Sequence, residues 1–259
     1  MPHATTRRHA LRLLAAIPLI AAGGPALARK DALIGRLIDE ARALPRVSQR
    51  IDFISGKLIG IRYQAHTLIG GPKHPERFVV RDDAFDCVTF CEVVLSAALA
   101  RDLAEFEAAL LRIRYEHGRV KWDERNHYFA EWSRRIVEQN ICRPVAMEPS
   151  IVIDKTVNWS NQGRRRIKMV AIPRDTFWSN KHLLTPGDVI GFVSLRKNLD
   201  FYHTGLVTIG KNDSVILRHA SQSRRRVLDE PMDAFFANNG VRLVTLLRAV
   251  DGAPVAARP

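Results

Sequence analysis

The amino-acid sequence predicts an α+β domain in which N-terminal helices pack against a C-terminal antiparallel sheet. Two observations support this fold class. Apolar residues in the first half recur at helical spacing, whereas β-branched segments in the second half alternate with turn signals. A hydrophobic content of 46% and a charged content of 26% exclude a disordered or fibrous chain. A length of 259 residues allows one large core or two small ones.

Residues 1–28 have the pattern of a secretory signal peptide. Arg7 and Arg8 precede a short apolar segment, and Ala26-Leu27-Ala28 supplies an A-x-A cleavage site. The arginine pair also resembles the twin-arginine export signal. The apolar segment is too short and too interrupted by proline and glycine to span a membrane, so we expect no stable membrane anchor. The expected product is periplasmic or secreted, with residues 29–259 as a single domain that ends in a short disordered tail.

The elements of this domain are predicted in chain order. Helical spacing predicts helices over residues 30–44, 50–57, 84–100 and 103–115. Residues 61–83 contain Gly70-Gly71-Pro72 and are predicted to form loops and turns. β-Branched segments predict strands over residues 150–157, 167–172, 188–194, 204–209 and 215–219, with a hairpin turn at 210–213. A helix over residues 228–239 and a strand over 241–249 follow.

The chain is strongly basic, with 40 Lys and Arg against 27 Asp and Glu and a net charge of +13. Such a charge can favour nucleic acid, but an exported protein meets the carboxylates of peptidoglycan first. The arginine runs at 164–166 and 224–226 lack interleaved aromatic residues and are interpreted as solvated faces. We therefore expect an anionic wall substrate and no nucleic-acid partner.

The chain has three cysteines, Cys87, Cys91 and Cys142. An odd number leaves at least one thiol free in an oxidising compartment. A disulfide between Cys91 and Cys142 is one hypothesis for the other two. No cysteine–histidine cluster has zinc-site spacing, so neither a metal nor another cofactor is expected.

Cys87 is the candidate nucleophile because it lies at the start of a predicted helix. The positive end of the helix dipole favours a thiolate there, and nearby backbone N–H groups can donate to an oxyanion. Cys91 lies one turn further along, where the dipole stabilises a thiolate less. A buried, inert Cys87 would be the better interpretation if no partner residues were present.

Two histidines supply the partners that a catalytic thiol needs. His203 begins one candidate strand and His219 ends the next, so an antiparallel hairpin can place them side by side. His203 is then the candidate base, and His219 is the residue that orients it. A cysteine, a histidine and a polar residue in this chain order form a papain-like arrangement.

These motifs resemble the NlpC/P60 superfamily of cell-wall cysteine peptidases and, more closely, the N-acetylmuramoyl-L-alanine amidase-like family also known as DUF1460. The resemblance covers about residues 60–248 and rests on six motifs. They are Gly60-Ile61-Arg62-Tyr63, Asp86-Cys87-Val88-Thr89-Phe90-Cys91-Glu92, Arg125-Asn126-His127-Tyr128-Phe129, Leu199-Asp200-Phe201-Tyr202-His203-Thr204-Gly205, Arg218-His219-Ala220-Ser221 and Gly240-Val241-Arg242-Leu243.

The resemblance implies a papain-like fold of NlpC/P60 type, with Cys87 as nucleophile, His203 as base and His219 as third member. It implies cleavage of the amide between the lactyl group of muramic acid and L-alanine, in peptidoglycan or muropeptides, without a metal. Two positions depart from the family pattern. Cys91 replaces a small apolar residue, and the motif at 125–129 is a variant that affects substrate preference more than catalysis.

Four further residues are candidates for substrate binding: Tyr63, His127, Tyr128 and Trp132. Aromatic faces pack well on sugars and apolar linkers. Packing in the core or an interface is an equally good interpretation of all four. Asp86 either orients groups near the thiol or caps the helix, and capping is preferred.

Two other functions stay open on the sequence. The same triad would serve a γ-D-glutamyl endopeptidase of NlpC/P60 type. The chain could also be a non-catalytic wall-binding protein, although the presence of Cys87, His203 and His219 argues against that function. The sequence gives no indication of the oligomeric state.

Overall fold

The computed structural model describes residues 33–159 and 163–253. The predicted signal peptide and all but the first residues of the predicted C-terminal tail lie outside this part of the chain. Within it the structure has seven α-helices: α1 (Leu33–Ala41), α2 (Val47–Lys57), α3 (Cys87–Leu99), α4 (Leu103–Arg114), α5 (Phe129–Glu138), α6 (Arg174–Ser179) and α7 (Met232–Asn238).

The same residues form twelve strands: β1 (Arg62–Tyr63), β2 (Ile69–Gly71), β3 (His74–Arg77), β4 (Ala84–Phe85), β5 (Cys142–Pro144), β6 (Ile151–Trp159), β7 (Gly163–Pro173), β8 (Val189–Val193), β9 (Phe201–Ile209), β10 (Val215–Ser221), β11 (Arg226–Pro231) and β12 (Leu243–Ala249).

Ten of these described strands form one mixed sheet in the order β4-β1-β11-β10-β9-β8-β12-β7-β6, with β5 also paired to β12. The pair β1–β4 is parallel and the remaining pairs are antiparallel. The expected antiparallel sheet therefore gains a parallel edge from the N-terminal half of the chain. Strands β2 and β3 form a separate hairpin.

Helix α3 is the central helix of the fold. Its sequence is apolar on all sides, and the eleven residues from Thr89 to Leu99 are buried. They pack with α1, α2 and α4 in a cluster that covers one side of the sheet. Burial of Glu92 in this cluster is compensated by a 2.8 Å ion pair with Arg114, which is equally buried. A second cluster, on the other side, includes Phe192, Leu217 and Phe235 from β8, β10 and α7.

The α+β class and most predicted elements are confirmed. The prediction of a helix over residues 228–239 is wrong in its first part. Residues 226–231 form β11, which pairs with β10, and α7 begins only after Pro231. Pairing with a distant strand overrides local helix propensity here, and proline fits the start of a helix rather than its interior. Residues 61–83, predicted as loops, also contain the short strands β1 to β3.

Helices α5 and α6 and strand β5 are additional to the predicted set. Their segments are short, and each follows a stretch without a clear start signal. Among the described helices, none combines the length and the apolar character needed to cross a membrane.

Candidate active site

Asp86 fixes the start of α3. Its Oδ1 atom accepts hydrogen bonds from the backbone N–H groups of Val88 (3.1 Å) and Thr89 (2.8 Å). The Thr89 hydroxyl in return accepts the N–H of Asp86 at 3.0 Å, which completes a capping box. The preferred interpretation of Asp86 as a cap is confirmed. The cap makes Cys87 the first residue of the helix.

Strands β9 and β10 separate at the point where the two histidines lie. The paired residues run from Ile209 with Val215 to Leu206 with Arg218. Beyond the last pair the strands diverge, and His203 on β9 and His219 on β10 lie in this unpaired part. Gly205 permits the close approach, because a Cβ atom there would lie 2.9 Å from the Cβ of His219. His219 therefore lies opposite Gly205 rather than directly opposite His203, and the imidazoles meet along a diagonal.

The two imidazoles form a hydrogen bond of 2.6 Å between Nε2 of His203 and Nδ1 of His219. Nε2 of His219 lies 3.2 Å from Oε2 of Glu230. Glu230 is on β11, diagonal to His219, whose direct partner on that strand is Leu228. The three side chains form a chain of hydrogen bonds that ends at a carboxylate.

This carboxylate decides which nitrogens carry protons. An ionised Glu230 can only accept, so Nε2 of His219 donates to it, and Nδ1 of a neutral His219 must accept. Nε2 of His203 then donates to His219. Nδ1 of His203 is left without a proton, and it is the nitrogen that can act as a base.

Burial, with a smaller contribution from the negative charge of Asp86, raises the pKa of Cys87 to about 12. The backbone N–H of Thr204, the residue that follows His203, favours the Cys87 thiolate and lowers the pKa of the thiol, as do the N–H groups of Cys87 and Val88. The expected effect of the helix dipole is thus outweighed by desolvation, since the buried thiolate loses its hydration.

Both histidines are shifted in the opposite direction. Burial lowers the pKa of His203 to about 3, with a further contribution from His219. Burial lowers the pKa of His219 to about 4, although the charge of Asp229 opposes this shift. Burial therefore favours the neutral forms of the Cys87 thiol and of both imidazoles over their charged forms.

Comparison with known families gives this arrangement its context. A model of the N-acetylmuramoyl-L-alanine amidase-like family matches residues 53–241, well over half of the chain. The chain belongs to this family. The match spans the cysteine, both histidines and Glu230, and it confirms the resemblance to the N-acetylmuramoyl-L-alanine amidase-like family.

Solved structures show that the amidase-like fold extends over nearly the whole described chain. A protein from Legionella pneumophila, assigned to DUF1460, superposes with a TM-score of 0.74 at 20% identity, over 86% of this chain and 95% of its own. Two structures of an N-acetylmuramoyl-L-alanine amidase from Bacteroides uniformis each give a TM-score of 0.66. Their identities are 20% and 22%, over 78% and 79% of this chain and 98% and 99% of theirs. No curated protein sequence matches.

Among the four predicted substrate-binding residues, Tyr63 interacts electrostatically with the Cys87 thiol. Tyr63 lies on β1, which pairs with β4 just before Cys87. Burial raises the pKa of the Tyr63 phenol, and the charges of Cys87 and Asp86 raise it further, so the phenol lies within electrostatic reach of both. A half-buried aromatic hydroxyl at this position can contact a bound substrate.

The other three residues have structural contacts. His127 lies against the Trp122 ring and makes a 2.7 Å hydrogen bond from Nε2 to the Trp122 carbonyl. Tyr128 packs with Val157 and Ile167. Trp132 is 0% exposed and stacks on Phe129 in the core, so its ring presents no surface to a substrate in this structure. Core packing is the interpretation that fits Trp132.

The hypothesis of a disulfide between Cys91 and Cys142 is wrong for this structure, because all three cysteines are free thiols. Cys91 is buried on α3, with its sulfur 3.9 Å from the Thr204 hydroxyl. Cys142 is buried on β5. Among the described residues, no cluster of three or more His, Cys, Asp or Glu side chains could hold a metal ion.

Proposed function

We propose that this protein is a cysteine amidase that hydrolyses the N-acetylmuramoyl-L-alanine bond of peptidoglycan or muropeptides. The observation that carries the proposal is the series of hydrogen bonds from His203 through His219 to Glu230, in a protein whose candidate thiol is the first residue of a capped helix. Family membership supports the amide as the bond attacked. The arrangement of thiol, imidazole and orienting group supports an NlpC/P60-type, papain-like architecture.

In the proposed reaction, Nδ1 of His203 takes the proton of the Cys87 thiol as the sulfur attacks the lactyl carbonyl. Proton transfer and attack are coupled, because a pKa of about 12 leaves little free thiolate at neutral pH. The carboxylate of Glu230, acting through His219, stabilises the positive charge that develops on His203. A C–S bond forms, and the carbonyl π electrons move to the oxygen.

The oxyanion needs donors that are not already used. The N–H groups of Val88 and Thr89 bond to Asp86, so they contribute little. The backbone N–H groups of Cys87 and Thr204, which both favour the thiolate, and the phenol of Tyr63 are the candidate donors. This assignment specifies which of the backbone N–H groups near Cys87 are available to the oxyanion.

Collapse of the tetrahedral intermediate breaks the C–N bond. Imidazolium Nδ1 of His203 gives its proton to the leaving amine of L-alanine, and a thioester between Cys87 and the lactyl group remains. A water that loses its proton to the same nitrogen then attacks the thioester carbonyl, the C–S bond breaks, and the Cys87 sulfur takes the proton back from His203. The products are a free muramic acid carboxylate and a peptide that begins at L-alanine.

Mass spectrometry of defined muropeptides, incubated with wild-type protein and with the Cys87→Ala variant, tests the proposal. We expect free sugar and a peptide starting at L-alanine from the wild type alone. Fragments cut within the peptide would instead identify a γ-D-glutamyl endopeptidase. If the wild-type protein cleaves none of the substrates, a wall-binding protein is favoured. Full activity of Cys87→Ala would refute cysteine catalysis.

We further propose that the protein acts outside the cytoplasm, on the basis of the signal pattern in residues 1–28. N-terminal sequencing of the protein from periplasmic and secreted fractions should show a mature chain that starts near Arg29. Full-length protein found only in the cytoplasm would contradict export.

A further inference from the structure

Two cavities meet at the turn between β8 and β9, close to the proposed catalytic residues. One has a volume of about 530 Å³, and Tyr202, Arg196 and Arg242 are among its lining residues. The other has a volume of about 590 Å³ and includes Lys197 and Arg164 in its lining. Leu195 lines both cavities, so they form one continuous surface around the turn.

This surface carries positive charge without internal compensation. No described residue that lines either cavity is acidic. Arg164, Arg196, Lys197 and Arg242 are exposed, and within residues 33–159 and 163–253 none of them forms an ion pair. Arg166, on the same hairpin as Arg164, is by contrast paired with Asp154 at 2.7 Å.

Hydrogen bonds fix the backbone of the β8–β9 turn that carries Arg196 and Lys197. The ammonium group of Lys155 donates to the carbonyl oxygens of Ser194 and Leu199, each at 2.6 Å. The hydroxyl of Ser194 accepts the backbone N–H of Arg196 at 3.1 Å. A fixed turn loses less conformational entropy when it binds a ligand, so its cations are preorganised for an anion.

The first cavity lies next to His203. Tyr202 lines this cavity and directly precedes His203, and the rings of both residues lie 6.0 Å from the Phe192 ring. Leu195 is 62% exposed and Tyr202 is 38% exposed, so apolar surface is interspersed with the cations. This combination suits a peptide that carries small apolar side chains together with carboxylates.

We propose that this surface, lined by Leu195, Arg196, Lys197, Tyr202 and Arg242, is a subsite for the free carboxylates of the substrate's peptide. Those carboxylates belong to the residues that follow L-alanine, on the leaving side of the scissile amide. The inference rests on the proposed amidase function and specifies which part of the substrate is recognised. A muropeptide whose carboxylates are amidated lacks the recognised charge.

The test compares two substrates and two double variants. The substrates are N-acetylmuramoyl-L-alanyl-γ-D-glutamyl-diaminopimelate and its analogue with every peptide carboxylate converted to carboxamide. The variant Arg196→Gln/Lys197→Gln removes two charges from the subsite. Lys57→Gln/Lys211→Gln removes two exposed charges from α2 and from the β9–β10 turn, and serves as the control.

We expect the subsite variant to raise KM for the carboxylate substrate by about fivefold, with kcat unchanged, since two partly exposed charge pairs are lost. KM for the amidated analogue should be the same in all three proteins. Calorimetry with the carboxylate substrate in a Cys87→Ala background should show the same fivefold loss of affinity.

The calorimetric arm needs no turnover, so it separates this inference from the proposed function. Carboxylate-dependent binding without cleavage by the wild type would retain the subsite and reject the amidase. Equal KM and affinity in the subsite and control variants would overturn the subsite. Equal weakening for both substrates, or no binding to the Cys87→Ala protein, would overturn it as well.

Discussion

Replacement of Glu230 by glutamine tests the hydrogen-bonded chain directly. Oε2 of Glu230 lies 3.2 Å from Nε2 of His219, and its side chain is 21% exposed. Glutamine keeps the size of the side chain and removes its charge. Since the amide can donate as well as accept, it no longer forces His219 to present an accepting Nδ1 atom to His203.

The expected loss follows from the distance between charges. A proton on Nδ1 of His203 would lie about 8 Å from the carboxylate, and an effective dielectric constant of about 20 gives an attraction of about 2 kcal/mol. Partial exposure of Glu230 reduces this value to between about 1 and 2 kcal/mol, which corresponds to about a tenfold fall in kcat. KM should stay unchanged, because Glu230 acts through His219 and is not placed against the substrate.

Steady-state kinetics and imidazole ¹⁵N NMR check this prediction together. In the wild type the ¹⁵N shifts should show His203 protonated at Nε2, whereas Glu230→Gln should show a mixture of tautomers. Glu138→Gln, which removes an exposed carboxylate from α5, is the matched control. A wild-type kcat in Glu230→Gln would refute the proposed role of the hydrogen bonds from His203 through His219 to Glu230. So would a wild-type His203 that is protonated at Nδ1.

Three further predictions concern packing, pH and the thiol. Gly205→Ala should lower the free energy of unfolding by about 1–3 kcal/mol and kcat by at least about tenfold, because the added Cβ displaces His219. Urea denaturation measures the first effect and steady-state kinetics the second. Wild-type values in both would contradict the close approach of Gly205 and His219. Because the pKa values of His203 and His219 are lower in the folded state, both histidines take up protons at a higher pH in the unfolded chain than in the folded one. Their contribution to the free energy of unfolding is therefore fully present above pH 6.5 and is lost as the pH falls toward 4. The two histidines should add about 3 kcal/mol per pH unit to the slope within this window, and urea denaturation should give a shallower slope after His203→Gln/His219→Gln. Asp86→Asn keeps a capping side chain but removes a charge that raises the pKa of Cys87, so iodoacetamide should label Cys87 faster than in the wild type; unchanged labelling would exclude this electrostatic effect.

Local signals explain why much of the helical half could be predicted from the sequence. Asp86 marks the start of α3 as a cap, and apolar spacing marks α1, since both signals lie within a few residues of the element they define. Strand β11 is different. Its residues form a strand because β10 lies beside them, and nothing between Leu228 and Pro231 encodes that neighbour locally.

The same distinction separates the predicted from the missed parts of the site. His203 and His219 could be paired from sequence because a short turn joins their strands. Glu230 could not be found, since a helix over 228–239 would have no diagonal relation to His219. The sign of the Cys87 pKa shift was also inaccessible, because it depends on burial by the assembled fold rather than on position within the helix.

The separation of β9 from β10 connects the fold to the chemistry. The ladder ends at Leu206 and Arg218, before it reaches Thr204, whose backbone N–H lowers the pKa of the Cys87 thiol. Arg218 stabilises the separated end of β10. It donates to both carboxylate oxygens of Asp229, at 2.7 and 2.9 Å, and to the Asp52 carbonyl on α2 at 2.9 Å.

These contacts belong to the folded chain itself. Desolvation disfavours the charged forms of Cys87 and His203, although both side chains are only partly buried. A site of this kind cannot rely on a preformed ion pair, so the positive charge must be stabilised as it develops. Glu230 and His219 are placed to do so, which is why the end of this hydrogen-bonded chain, rather than the helix dipole, is expected to control the rate.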